Sequence, residues 1–129
     1  MRSGSKTEYD AGHAETAEES GELVIDRLAC GLIGREREVT AVPGTKIYEL
    51  LGAGPFTGFH WCNYGLAPAY AGRLTQHGLV ISARADDAGA EAVELPSHPF
   101  FLATLFQPQV GALAGRPLNP IIKAFMAAA

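Results

Sequence analysis

From residue 22 onward the chain consists of short apolar runs separated by Gly, Pro and Asp. This pattern is typical of short strands with short helices between them. Residues 22–27 and 35–42 alternate polar and apolar side chains, which predicts two half-exposed antiparallel strands. Further strands are predicted at 56–64, 79–85 and 90–95. Asp86-Asp87-Ala88-Gly89 is a turn sequence, so the last two strands are expected to pair as a hairpin.

Three short helices are predicted between and after these strands. Thr45 follows Pro43-Gly44 and can cap a helix over residues 46–51, which Gly52 then ends. A second helix is expected at 68–76, before Gly78. The third, residues 120–128, begins with Pro and carries its apolar side chains at helical spacing. The predicted class is therefore α/β, with a mixed sheet and a few short helices.

The run at residues 100–106 is apolar except for Thr104. A strand that does not alternate is expected to be covered on both faces, which predicts a central position in the sheet. Three short helices are too few to supply both covering layers. We therefore expect either a homo-oligomer or a complementing polypeptide to cover the remaining apolar surface.

Composition narrows the function classes. The chain has 129 residues, 47% of them hydrophobic and 19% charged, which fits one domain that can bury a core. A net charge of -4 without a basic cluster argues against a nucleic-acid partner. The sequence has no apolar run of about 20 residues, so no membrane span is expected. Two cysteines and no secretory start predict a reducing, cytoplasmic location.

The first 21 residues differ from the rest of the chain. They are rich in acidic and small polar residues and contain no apolar run. We expect residues 1–21 to form a flexible acidic arm and residues 22–129 to form a single domain.

One segment carries a specific resemblance. Residues 95–109 read Leu-Pro-Ser-His-Pro-Phe-Phe-Leu-Ala-Thr-Leu-Phe-Gln-Pro-Gln. This segment resembles the C-terminal glutaminase domain of CTP synthase, a class I glutamine amidotransferase. In that family the segment runs from Leu-Pro and His-Pro through an aromatic pair and a short strand to the His-Pro-Glu of a Cys-His-Glu triad. Supporting matches are Pro43-Gly44, Leu51-Gly52, Asn63-Tyr64, Pro68 to Tyr70, residues 78–82 and residues 116–120.

The resemblance covers residues 22–129, which correspond to the C-terminal half of the family domain. It implies a partial flavodoxin-like layer of the class I amidotransferase type. The family's nucleophilic cysteine stands on a glycine-flanked elbow in the half that precedes this region. Cys30 has Leu28 two positions before it and so lacks the elbow pattern. We interpret Cys30 as a buried apolar thiol.

The triad positions depart from the family. Gln107 stands where the family has the histidine, and Gln109 where it has the glutamate. An amide side chain accepts no proton at neutral pH, so neither can act as the base or as the orienting carboxylate. The resemblance therefore implies a degenerate amidotransferase without glutaminase activity that acts by binding a ligand or a partner. A split enzyme, with a complementing polypeptide that supplies the elbow cysteine, is a third hypothesis.

The segment 59–64 departs as well. The family has an Arg- and His-rich run there that helps to hold glutamine, and only His60 and Tyr64 keep a counterpart. The period of two places His60 and Cys62 on one side of the predicted strand. A thiol beside an imidazole is the minimal activated nucleophile, so an alternative is an enzyme that uses Cys62 and His60 in a pocket shared across an oligomer. The other interpretation is that the Cys packs and a neighbour satisfies the His.

The remaining polar residues are candidates for ligand binding or for solvent-exposed positions. Asn63, Tyr64 and His98 are candidate ligand-binding residues, and His98 is also expected to hydrogen-bond at the entry to the strand that follows it. No paired spacing such as Cys-x-x-Cys is present, so we expect neither a metal nor another cofactor. The acidic residues around the predicted hairpin are expected to be solvated. These are Asp86, Asp87, Glu91 and Glu94.

Overall fold

The computed structural model describes residues 12–13, 23–28, 31–86 and 89–129. Most of the predicted arm, together with Cys30 and Asp87, lies outside these residues. Within the arm, Gly12–His13 forms strand β1, which pairs in parallel with the next strand.

Eight strands form two sheets in the described part of the chain. The other strands are β2 (Leu23–Arg27), β3 (Arg35–Ala41), β4 (Phe56–His60), β5 (Tyr64–Leu66), β6 (Val80–Ala85), β7 (Gly89–Glu94) and β8 (Leu102–Thr104). The smaller sheet has the order β1-β2-β5 and the larger one β4-β3-β6-β7-β8. All pairs in the larger sheet are antiparallel. The predicted hairpin is confirmed, since β6 pairs with β7.

Four helices are described, and three were predicted. They are α1 (Lys46–Leu51), α2 (Pro68–Gln76), α3 (Val110–Leu113) and α4 (Pro120–Ala128). The Thr45 hydroxyl accepts a hydrogen bond from the Tyr48 N–H at 3.3 Å, and Gly52 takes a φ of 88° at the end of α1. Both observations confirm the predicted caps. The short α3 was not predicted, and no side chain caps it at Gln109.

The single strand predicted at 56–64 is wrong, because β4 and β5 belong to different sheets. The chain leaves β3 after His60. Its next carbonyls turn toward the segment before β3: the Leu32 N–H donates to Cys62 O at 3.0 Å and the Leu28 N–H to Asn63 O at 2.8 Å. The segment from Arg27 to Arg35 is longer than the facing segment from His60 to Tyr64, so the pairing changes register and divides into two ladders.

The central strand predicted at 100–106 is also wrong, because β8 lies at the end of the larger sheet. Phe101, just before β8, is 42% exposed. After β8 the chain bridges the two ends of the sheet: the Leu105 N–H donates to Glu91 O and the Gln107 N–H to Phe59 O, both at 2.8 Å. The apolar run is therefore divided between an edge strand and this crossing, and neither needs two covering layers.

The crossing depends on a close approach of two backbones. A Cβ added to Gly58 would lie 2.8 Å from Phe106 Cβ and 3.1 Å from Val39 Cγ2, so only glycine fits between them. Phe106 itself is buried and packs edge-on against Phe56. The buried core contains Val39, Ala41, Ile47, Ala83, Ala92, Phe106 and Ile121. We call the contact of residues 105–107 with β4 and β7 the seam.

Candidate functional site

The seam contains a buried acid and imidazole. His60 Nε2 lies 2.6 Å from Glu91 Oε1, and both side chains are 0% exposed. With its proton on Nε2, the imidazole donates to the carboxylate, a strong charge-assisted bond when the carboxylate is ionised. His60 Nδ1 has no hydrogen-bond partner among the described residues. This pair joins β4 to β7 directly, side chain to side chain.

The expected solvation of Glu91 and Glu94 is wrong, since both are buried. Their strand β7 lies between β6 and β8, so both of its backbone edges are paired. The carboxylate of Glu94 accepts from the Lys46 N–H at 2.9 Å and the Ile47 N–H at 3.0 Å. It therefore caps the first turn of α1, where the unpaired N–H groups of a helix favour a negative charge. Asp86 is exposed, as expected.

The structure does not bring Cys62 and His60 into a hydrogen bond. The Tyr64 N–H donates to Cys62 Sγ at 3.2 Å, and the thiol in turn lies 3.3 Å from Tyr64 O. The Cys62 thiol therefore bonds to the backbone of Tyr64 two residues later, whereas the His60 imidazole is bonded to Glu91. Cys62, Tyr64 and Glu91 all border one cavity of about 260 Å³, whose other walls are largely the apolar residues of β7 and β8.

One of the two family triad positions, Gln107, borders a second, separate groove. Gln107 is half-buried and lines a groove of about 520 Å³ together with Phe59. The rim carries charges of both signs, Glu36 on β3 and Arg116 and Lys123 on the C-terminal segment. Gln109 is exposed and does not line this groove. The two glutamines are thus separated by the turn that leads into α3.

The remaining predicted residues are not gathered into one site. The guanidinium carbon of Arg27 lies over the Tyr64 ring, 5.6 Å from the centre of that ring. Asn63 is half-buried and borders neither the cavity nor the groove. The exposed His98 accepts a hydrogen bond from the Phe100 N–H at 3.1 Å through Nδ1. This bond lies just before β8, where the sequence predicts a hydrogen bond of His98 at the entry to the strand.

The described residues contain no group of three or more His, Cys, Asp or Glu side chains placed to hold a metal ion. Over the same parts of the chain, no helix is long and apolar enough to cross a membrane.

The chain is similar to known proteins in both sequence and fold. The CTP synthase of Aeropyrum pernix is 40% identical over 108 residues, which are 81% of this chain and 20% of that enzyme. The CTP synthase of Pyrobaculum calidifontis is 34% identical over 125 residues, 96% of this chain and 23% of that enzyme. The chain thus spans about one fifth of the length of these enzymes. No protein-family model matches the sequence.

The fold comparison agrees with the sequence comparison. The glutaminase domain of Trypanosoma brucei CTP synthase, solved with bound acivicin, superposes with a TM-score of 0.79 at 27% identity. The match covers 93% of this chain and 51% of that domain's chain. A Thermoplasma acidophilum protein described as a GMP synthase subunit, 15% identical with a TM-score of 0.61, shares the fold alone. The chain is therefore similar in sequence to part of CTP synthase, and it has the fold of about half of the glutaminase domain of that enzyme.

Proposed function

We propose that this chain is a degenerate glutamine amidotransferase that does not hydrolyse glutamine and acts by binding a ligand or a partner. The observation that carries the proposal is the pair of amides, Gln107 and Gln109, at the positions where the family motif has His and Glu. Neither amide accepts a proton at neutral pH. A thiol nucleophile needs a base, and that base needs an orienting acceptor.

The environment of the described thiol supports the same proposal. Cys62 exchanges hydrogen bonds with the backbone of Tyr64, and Gln107 lies in a different pocket. The buried imidazole of His60 is bonded to Glu91, with no exposed surface through which it reaches a substrate. The proton acceptors and the thiol are thus dispersed, whereas nucleophilic catalysis requires them within hydrogen-bond reach of one another.

We assign ligand binding to the groove beside Gln107. Its volume of about 520 Å³ lies in the range of small-molecule pockets, roughly 300–1,000 Å³. Glu36 on one side and Arg116 and Lys123 on the other suit a small polar ligand with charges of both signs. An adjoining protein surface is the other occupant that this chemistry fits.

The proposal is tested by the release of ammonia from glutamine. We expect the purified chain to release no more ammonia than buffer does. The matched control is the double variant Gln107→His, Gln109→Glu, which restores the motif and is also expected to be inactive, because neither Cys30 nor Cys62 has the flanking glycines of the family's elbow. Saturable release of ammonia by the unaltered chain contradicts the proposal.

A second candidate function is an enzyme that uses Cys62 and His60. The observation that favours it is the 2.6 Å contact of His60 with Glu91, because a carboxylate that holds an imidazole is a common element of catalytic sites. Cys62 borders the 260 Å³ cavity together with Glu91. If Cys62→Ala and His60→Ala leave every activity and ligand affinity intact, this candidate fails.

The split-enzyme hypothesis is distinguished by its partner. It requires a separate polypeptide with a Gly-x-Cys-x-Gly segment, and such a protein should copurify with a tagged chain from the native host. Repeated purification without a partner counts against it.

We place the protein in a reducing cytoplasm, since Cys62 is a free thiol and small disulfide-dependent domains belong to oxidising compartments.

A further inference from the structure

We draw no further inference here: the strongest candidate, the surface patch that the stacked Phe59 and Trp61 rings form at the end of β4, carries nothing, because the chain spans about half of the matched glutaminase domain and nothing in the structure shows what covers the patch.

Discussion

The two halves of one apolar run behave differently in this structure. Residues 105–107 are closed on both sides, because their N–H groups bond to Glu91 on β7 and Phe59 on β4. Residues 102–104 bond to β7 alone, and their other edge has no strand among the described residues. Residues of the same hydrophobic character therefore form an internal seam at 105–107 and an open sheet edge at 102–104. The hydrophobicity of a segment indicates that its side chains are buried. Its backbone hydrogen bonds decide which of its two edges is paired.

The seam should be the more costly half to disturb, and His60→Ala is the strongest test. The change leaves the Glu91 carboxylate buried without its imidazole, which typically destabilises a protein by about 3–5 kcal/mol. Urea unfolding measures this loss, and the exposed His77→Ala is the control. Replacing both members, as in His60→Leu with Glu91→Leu, should cost less than His60→Ala alone. If the single variant is as stable as the control, the pair does not hold the seam.

Gly58→Ala tests the close approach that allows the crossing. The added methyl group meets Phe106 Cβ at 2.8 Å and Val39 Cγ2 at 3.1 Å, so Phe106 or the strand must shift, at a cost of about 1–3 kcal/mol. Gly54→Ala, with no atom within 4 Å of the new Cβ, is the matched control and should change stability little. Equal denaturation midpoints for the two variants argue against tight packing at Gly58.

Glu94→Gln tests whether the carboxylate cap of α1 is independent of the seam. One of the two N–H groups, of Lys46 or Ile47, loses its acceptor, and the negative charge at the start of α1 is removed. We expect a loss of about 1–2 kcal/mol in the free energy of unfolding. Amide exchange should accelerate in α1 while the amides of Leu105 and Gln107 stay protected. Equal acceleration in the seam contradicts the separation.

The open edge should give the smallest effect on the isolated chain. Ala103 is exposed, so Ala103→Lys should change the free energy of unfolding by less than about 0.5 kcal/mol in dilute solution. Thermal unfolding at low protein concentration measures this. A loss comparable to that of Gly58→Ala means that Ala103 packs within one chain and that the edge is not open.

Local chemistry made several elements predictable from the sequence. Thr45 and Gly52 bound α1, and α2 and α4 begin at their prolines, because caps and proline constraints act within a few residues. The hairpin of β6 and β7 followed from its turn sequence. The resemblance located the relationship to CTP synthase from residues 95–109, and both comparisons agree with it.

The missed features are set by distant residues. Glu91 was expected in solvent, but an acidic residue between two alanines has no local signal for a histidine 31 positions away. Glu94 likewise finds its donors in α1, 48 and 47 positions away. The break after His60 arises because the facing segment from Arg27 to Arg35 is longer than the one from His60 to Tyr64. Such partners depend on tertiary contacts, which override the period-two pattern of a strand.

Amide hydrogen exchange, resolved by residue and measured at low and high protein concentration, tests the contrast between seam and edge most directly. We predict slow exchange of Leu105 and Gln107 at both concentrations, because their acceptors lie within the chain. Leu102 and Thr104 should exchange rapidly at both concentrations, because the outer edge of β8 has no partner strand among the described residues. Rapid exchange of Leu105 and Gln107, or slow exchange of Leu102 and Thr104, would contradict the account.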